Sequence, residues 1–134
     1  MYNKLLAMLH AIRLSSADIH YQVRGDSFWG NHLFADELRD DIDDFIDGVN
    51  EICFLGSERE APYSRDIMTE ALEYIPVKVA EEKQMFINLK ELVYRTLAEI
   101  ERLMPEASAG EANLIGGIAE NLQKKFGLLW RRIR

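Results

Sequence analysis

Only three prolines occur in 134 residues, Pro62, Pro76 and Pro105, and they fall between the apolar patterns of the chain rather than inside them. A proline in a helix interior removes a hydrogen bond and clashes with the preceding turn, at a cost of about 3 kcal/mol or more. Their placement leaves long stretches free to be helical, and those stretches have the helical period. From Asn3 to Val23, the residues Leu5, Leu6, Leu9, Ile12, Ile19 and Val23 recur at spacings of three and four, as in an amphipathic helix. Arg24-Gly25-Asp26 ends it, with glycine available for a left-handed cap. Asp26 or Ser27 then caps a second helix. Its apolar positions Phe28, Leu33, Phe34, Leu38, Ile42, Phe45, Ile46, Val49, Ile52 and Phe54 carry one pattern to about Leu55-Gly56.

Residues 56–65 read as a loop, and a short helix is expected at Ser64–Tyr74, stopped by Pro76. A third long pattern runs from Val77 to about Leu103, and a fourth helix fits Glu111 to Ile133 after the connection Glu106–Gly110. No segment alternates with the β period, and no internal repeat is visible. The expectation is one all-α domain over residues 1–134, four long helices with a short extra helix between the second and third. Antiparallel neighbours need only about two to eight linking residues. Roughly twenty between helices two and three suggest a crossover joining parallel helices, as in ferritin-like folds.

Composition narrows the function classes. With 48% apolar and 29% charged residues the chain suits a soluble fold, and sixteen basic against twenty-three acidic side chains give −7. That balance argues against a whole-surface nucleic-acid binder and mildly favours cations as clients. No charge-free run approaches the roughly 18–20 apolar residues of a membrane span, and the start turns polar at His10 and Arg13, unlike a secretory leader. Cys53 is the only cysteine, so one chain can form neither a disulfide nor a cysteine-based zinc cluster. A cytoplasmic location without membrane contact is expected.

Chemistry concentrates on helix two. Steps of four and seven keep His32, Asp36, Asp43, Asp47 and Glu51 on one helical stripe. Imidazole with carboxylate suits iron, manganese or zinc, although an acidic stripe is more often a solvated face. His32 and Asp36 are one turn apart, as are Asp47 and Glu51, yet about 16 Å of continuous helix would separate the two pairs. Metal–ligand bonds of about 2.0–2.2 Å forbid one ion from reaching both. Two copies of helix two, antiparallel about a two-fold axis, would bring the early pair of one to the late pair of the other.

The run Ile19-His20-Tyr21-Gln22-Val23-Arg24-Gly25-Asp26-Ser27-Phe28-Trp29-Gly30-Asn31-His32-Leu33-Phe34 resembles the signature of Dps proteins, the mini-ferritins that protect DNA in starved cells. His20 and His32 keep the twelve-residue interval of that family, Phe28 and Trp29 match its aromatic pair, and Asp36, Asp47 and Glu51 follow at its spacings. The segment Ile118–Ile133, with Trp130, also looks like the last helix of the family. The resemblance implies a ferroxidase whose metal ligands are His20, His32 and Asp36 of one subunit with Asp47 and Glu51 of its mate. It further implies two-fold dimers building a hollow homo-oligomer, a dodecamer in that family, that stores ferric mineral. Fe(II) and hydrogen peroxide or dioxygen would be the reactants; zinc or manganese could occupy the same ligands.

Departures and weaker signals complete the expectations. Tyr21 stands where the family often has tryptophan, and Gly48 sits inside helix two at about 1 kcal/mol relative to alanine, allowing another helix to approach. Trp29 and Tyr21 are candidates to trap stray radicals, with core packing as the ordinary alternative. Glu106 and Glu111 are candidates to line an acidic pore for iron at a three-fold axis, with a solvated loop as the alternative. The basic end formed by Lys124, Lys125, Arg131, Arg132 and Arg134 is explained by the helix dipole; the arginines are low-ranked DNA contacts, and with no basic arm before helix one, DNA binding is expected to be weak or absent. His10 is read as structural, Met68, Met85 and Met104 as core filler. The competing functional class is a catalytically silent helical interaction or structural protein of the same fold.

Overall fold

The computed structural model describes residues 1–78 and 81–134, and every regular element within them is helical. α1 spans Asn3–Gln22, α2 Phe28–Arg39 and α3 Ile42–Gly48. α3 runs on through a π-helical turn at Val49–Phe54 and a 3-10 turn at Leu55–Ser57. α4 spans Ser64–Ala71 and tightens into a 3-10 turn at Leu72–Tyr74. α5 spans Glu82–Leu103 and α6 Ala109–Ile133. No helix among the described residues is long and apolar enough to cross a membrane.

Two boundaries differ from the sequence expectation. The expected second helix is two helices, because the backbone leaves α2 at Asp40 (ψ 142°) and Asp41 takes a left-handed conformation (φ 70°) before α3 begins. Neither residue is glycine or proline; aspartate tolerates the left-handed region better than most side chains. The third pattern begins as helix at Glu82 rather than Val77. Val77 is fully exposed and Lys78 is outside any helix, while residues 79 and 80, part of that expected helix, lie outside the described residues.

Side-chain pairs fix the directions of the helices. His20 meets His32 and Arg13 meets Asp43, so α1 is antiparallel to α2 and α3. Asn31 reaches Glu82 and Phe34 stacks on Phe86, so α2 and α5 run parallel. Tyr94 and Lys90 pack on Phe126 and Arg132 lies over Phe86, so α5 and α6 are antiparallel. α4 lies in the long connection between α3 and α5 and packs against α1.

α1 is the centre of the core. Leu5, Leu6, Ala7, Met8 and Leu9 are consecutive and all buried, as expected of a helix surrounded on every side; α2, α3, α4 and α5 all pack on it. Ile42, Val49 and Phe54 join it from α3 and its π turn, Phe86, Leu89 and Val93 from α5, and Ile115, Ile118, Leu122 and Leu129 from α6. Gly48 has the close neighbour that its place in a helix suggested: a Cβ there would stand 2.9 Å from Leu114 Cδ1 on α6.

α6 starts with a capping box, the Ser108 hydroxyl accepting from the Glu111 N–H while the Glu111 carboxylate accepts from the Ser108 N–H. The same carboxylate accepts from the Tyr2 hydroxyl at 2.7 Å, Arg59 Nη1 at 2.7 Å and the Ser57 hydroxyl. One buried acid thereby ties together the chain start, the segment at the end of the 3-10 turn and α6.

Candidate metal centre

The turn between α1 and α2 depends on Gly25, whose φ of +87° suits a residue without a Cβ. It folds the end of α1 back on the start of α2 and brings His20 and His32 into a reciprocal clasp. His20 Nδ1 donates to the His32 carbonyl at 2.8 Å and His32 Nδ1 donates to the His20 carbonyl at 2.7 Å. A carbonyl can only accept, so both Nδ1 atoms carry protons. The rings stack with centroids 3.7 Å apart and 18° between planes. Fixing the proton on Nδ1 by a backbone carbonyl leaves Nε2 to offer its lone pair in the neutral ring, the outer-sphere arrangement typical of metal-ligating histidines.

Asp36 stands one turn beyond His32, half-exposed, and its Oδ1 accepts from Arg39 Nη2 at 2.7 Å. Arg39 is itself held more firmly protonated, first by hydrogen bonding to the Tyr21 side chain and then by Asp36. Sequence reasoning missed Arg39 as the partner of Asp36, although its i, i+3 spacing on a helix was readable.

Asp47 and Glu51 lie beyond the α2–α3 corner, Asp47 on the last turn of α3 and Glu51 within the π turn, both exposed. The Glu51 carboxyl is raised above its ordinary value, first by hydrogen bonding with Asp47 and then by the charge of Asp47. Two carboxyls within reach of each other favour a shared proton or a shared cation. π turns are rare and frequent at functional sites.

The α2–α3 corner divides the five candidate ligands into two groups, His20, His32 and Asp36 before it and Asp47 and Glu51 beyond it. The clasp unites His20 and His32, and Asp47 sits with Glu51, while Asp36 is engaged by Arg39. Among the described residues no three His, Cys, Asp or Glu side chains of the single chain converge on one point.

Aromatic and aliphatic side chains surround both groups and face outward. Phe28 stacks on His32 with centroids 4.9 Å apart, Trp29 lies 5.8 Å from the same ring, and Tyr21 meets the edge of His20 at 5.0 Å. Tyr21 is 70% and Trp29 68% exposed, which removes core packing within the chain as their explanation. Leu33 is exposed beside the clasp, and Ile52 and Leu55 near the acidic pair.

The remaining candidates sit elsewhere. Glu106 is exposed in the turn after α5, but Glu111 is 2% exposed and its oxygens are occupied as described above, so the expectation of a pore-lining Glu111 is corrected for this chain. Burial opposes ionisation of Glu111, yet hydrogen bonds from Ser57, Arg59, Tyr2 and the Ser108 N–H hold its carboxyl down at about 2. Arg132 donates to Asn31 at 2.9 Å and Arg134 covers the Trp130 ring, leaving Arg131 as the exposed arginine of the three that engages neither. His10 lies on α1 beside Arg13, away from both groups.

No family model matches this chain, and no curated protein matches it either.

Proposed function

We propose that the chain is a Dps-like, ferritin-like ferroxidase that assembles through two-fold dimers and oxidises Fe(II) at sites shared between subunits. The observation that carries this reading is the His20–His32 clasp, in which both imidazoles are locked into the tautomer that presents Nε2. The crossover between parallel helices supports the ferritin-like topology. The outward-facing Tyr21, Trp29, Leu33, Ile52 and Leu55 flank both ligand groups and supply apolar surface for a second copy. In that dimer His20, His32 and Asp36 of one subunit face Asp47 and Glu51 of the other.

Iron is the substrate. Hard anionic carboxylates favour Fe(III) over Fe(II), and a cation between Asp47 and Glu51 would relieve the repulsion of their two charges. Two Fe(II) each give one electron to hydrogen peroxide, which takes up two protons and leaves as two waters, so no hydroxyl radical is released. Dioxygen is the other candidate oxidant. Trp29 and Tyr21 stand at the clasp, where they could intercept stray radicals. Ferric product collects as mineral in the cavity of a larger shell, a dodecamer by family resemblance. DNA binding is weak or absent in this reading, given seven net negative charges per chain.

The test is anaerobic Fe(II) titration followed by peroxide, reading ferric absorbance alongside particle mass. Stoichiometric oxidation in a large particle, slowed sharply by Asp47→Asn, supports the reading; oxidation at the rate of free iron rejects it. One observation favours a silent structural protein of the same fold, namely the Arg39–Asp36 ion pair, which occupies a ligand. That reading predicts a dimer with no protein-dependent iron oxidation.

A further inference from the structure

Lys125 has no part in the ligand set, yet it is 6% exposed within the apolar face of α6, flanked by Leu122 and Leu129. Burying an ammonium carries a desolvation penalty, so a lysine this little exposed calls for a compensating partner. Its Nζ donates to the Asp40 carbonyl and lies 5.9 Å over the Phe45 ring. Burial lowers its proton affinity, and the carboxylates of Asp41, Asp40 and Glu37 pull the other way. About one turn earlier on α6, Asn121 Nδ2 donates to Asp41 Oδ2 at 3.2 Å. From α1, Arg13 Nε reaches Asp43 Oδ1 at 3.6 Å. The two residues at which the backbone leaves α2 are therefore both held from α6.

The local sequence does not demand a break there. Glu37-Leu38-Arg39-Asp40-Asp41-Ile42-Asp43-Asp44 has neither glycine nor proline, and its apolar spacing continues the helical period on both sides. The Asp40 carbonyl belongs to the set that a helix end leaves without an intrahelical partner, and Lys125 supplies one. The corner falls between Asp36 and Asp47, one in each ligand group. Its angle sets both their separation and the rotation of one group relative to the other.

We propose that Lys125 is a positioning residue: by capping Asp40, with Asn121 holding Asp41, it fixes the α2–α3 angle and so registers the His32–Asp36 group against the partner's acidic pair. This rests on the shared-site reading, and its test separates the two. Nitroxides are placed on exposed positions of α2 and α3 (Gly30→Cys with Asp44→Cys, leaving buried Cys53 in place), and the labelled chain is diluted with unlabelled protein. The metal-free inter-label distance is measured by pulsed electron resonance, and Co(II) affinity by visible titration. Lys125→Met should broaden or move the distance distribution while helicity is retained, and should weaken Co(II) binding about ten-fold or more, the scale of outer-sphere losses. Lys125→Arg, which keeps a donor, should restore both. An unchanged distance in a folded Lys125→Met overturns the corner lock, and a changed distance with unchanged Co(II) affinity overturns the positioning role. A parent protein that fails to bind Co(II) rejects the shared-site reading, and with it the role of Lys125 there, whatever the distances show. If Lys125→Met does not fold, Asn121→Ala carries the same readouts, with a smaller shift in the same direction expected and no shift in either overturning the proposal.

Discussion

Glu111→Gln is the sharpest test of how the helices are tied together. The carboxylate is enclosed and accepts from Tyr2, Ser57, Arg59 and the Ser108 N–H, and its proton affinity falls from an ordinary 4.5 to about 2. At about 1.4 kcal/mol per tenfold change in proton affinity, the charged form contributes about 3 kcal/mol to folding. A group whose folded value is depressed contributes above its unfolded value and loses the contribution as pH falls toward the folded one. The contribution should therefore be whole above about pH 5 and fade between about pH 4.5 and 2. Glutamine keeps the shape and an acceptor but removes the charge facing Arg59. Urea and thermal unfolding of both proteins from pH 2 to 8 should give a gap of about 3 kcal/mol at pH 7, roughly 10 °C in Tm for a domain this size. The gap should close toward pH 2. A gap under about 0.5 kcal/mol at pH 7, or one independent of pH, refutes the assigned network.

Other consequences follow from single contacts. Gly48→Ala should change stability by less than about 1 kcal/mol, since the helix-propensity gain is offset by displacement of the movable Leu114 tip. Gly56→Ala should lose at least about 1 kcal/mol, because the new Cβ meets the Glu51 carbonyl, which is fixed backbone, at 2.9 Å; denaturant melts check both. Cys53 is buried and its thiol is pushed up to about 11, first by burial and then by Glu111, so an aromatic disulfide reagent should label it only on unfolding. A low-salt gel shift should show little DNA retention, and firm binding would overturn that expectation.

What the sequence disclosed follows from where the determinants lie. α1, α4 and α6 were readable because periodicity, prolines and caps are local signals. The break at Asp40–Asp41 was not readable, since a side chain 85 residues away supplies the missing hydrogen bond. One clue was present: Lys125 lies between Leu122 and Leu129 in an apolar pattern, the position of a buried cation seeking a partner. Glu111 was assigned to a pore although Ser108-x-x-Glu111 spells a capping box. The interval between His20 and His32 marked them as candidates, but their reciprocal bonds to each other's carbonyls depend on the fold of the Gly25 turn. The tie between Asp36 and Arg39 was local and was overlooked.

Mixing two defective variants tests the shared site most directly. His32→Ala and Asp47→Asn each damage both sites of a symmetric dimer, while a mixed dimer recovers one undamaged site. After unfolding and co-refolding in equal amounts, random pairing should restore about a quarter of the parent's stoichiometric Fe(II) oxidation, with each variant alone near the rate of free iron. Full activity in either variant alone, or no recovery in verified mixed dimers, would contradict a centre built from two chains.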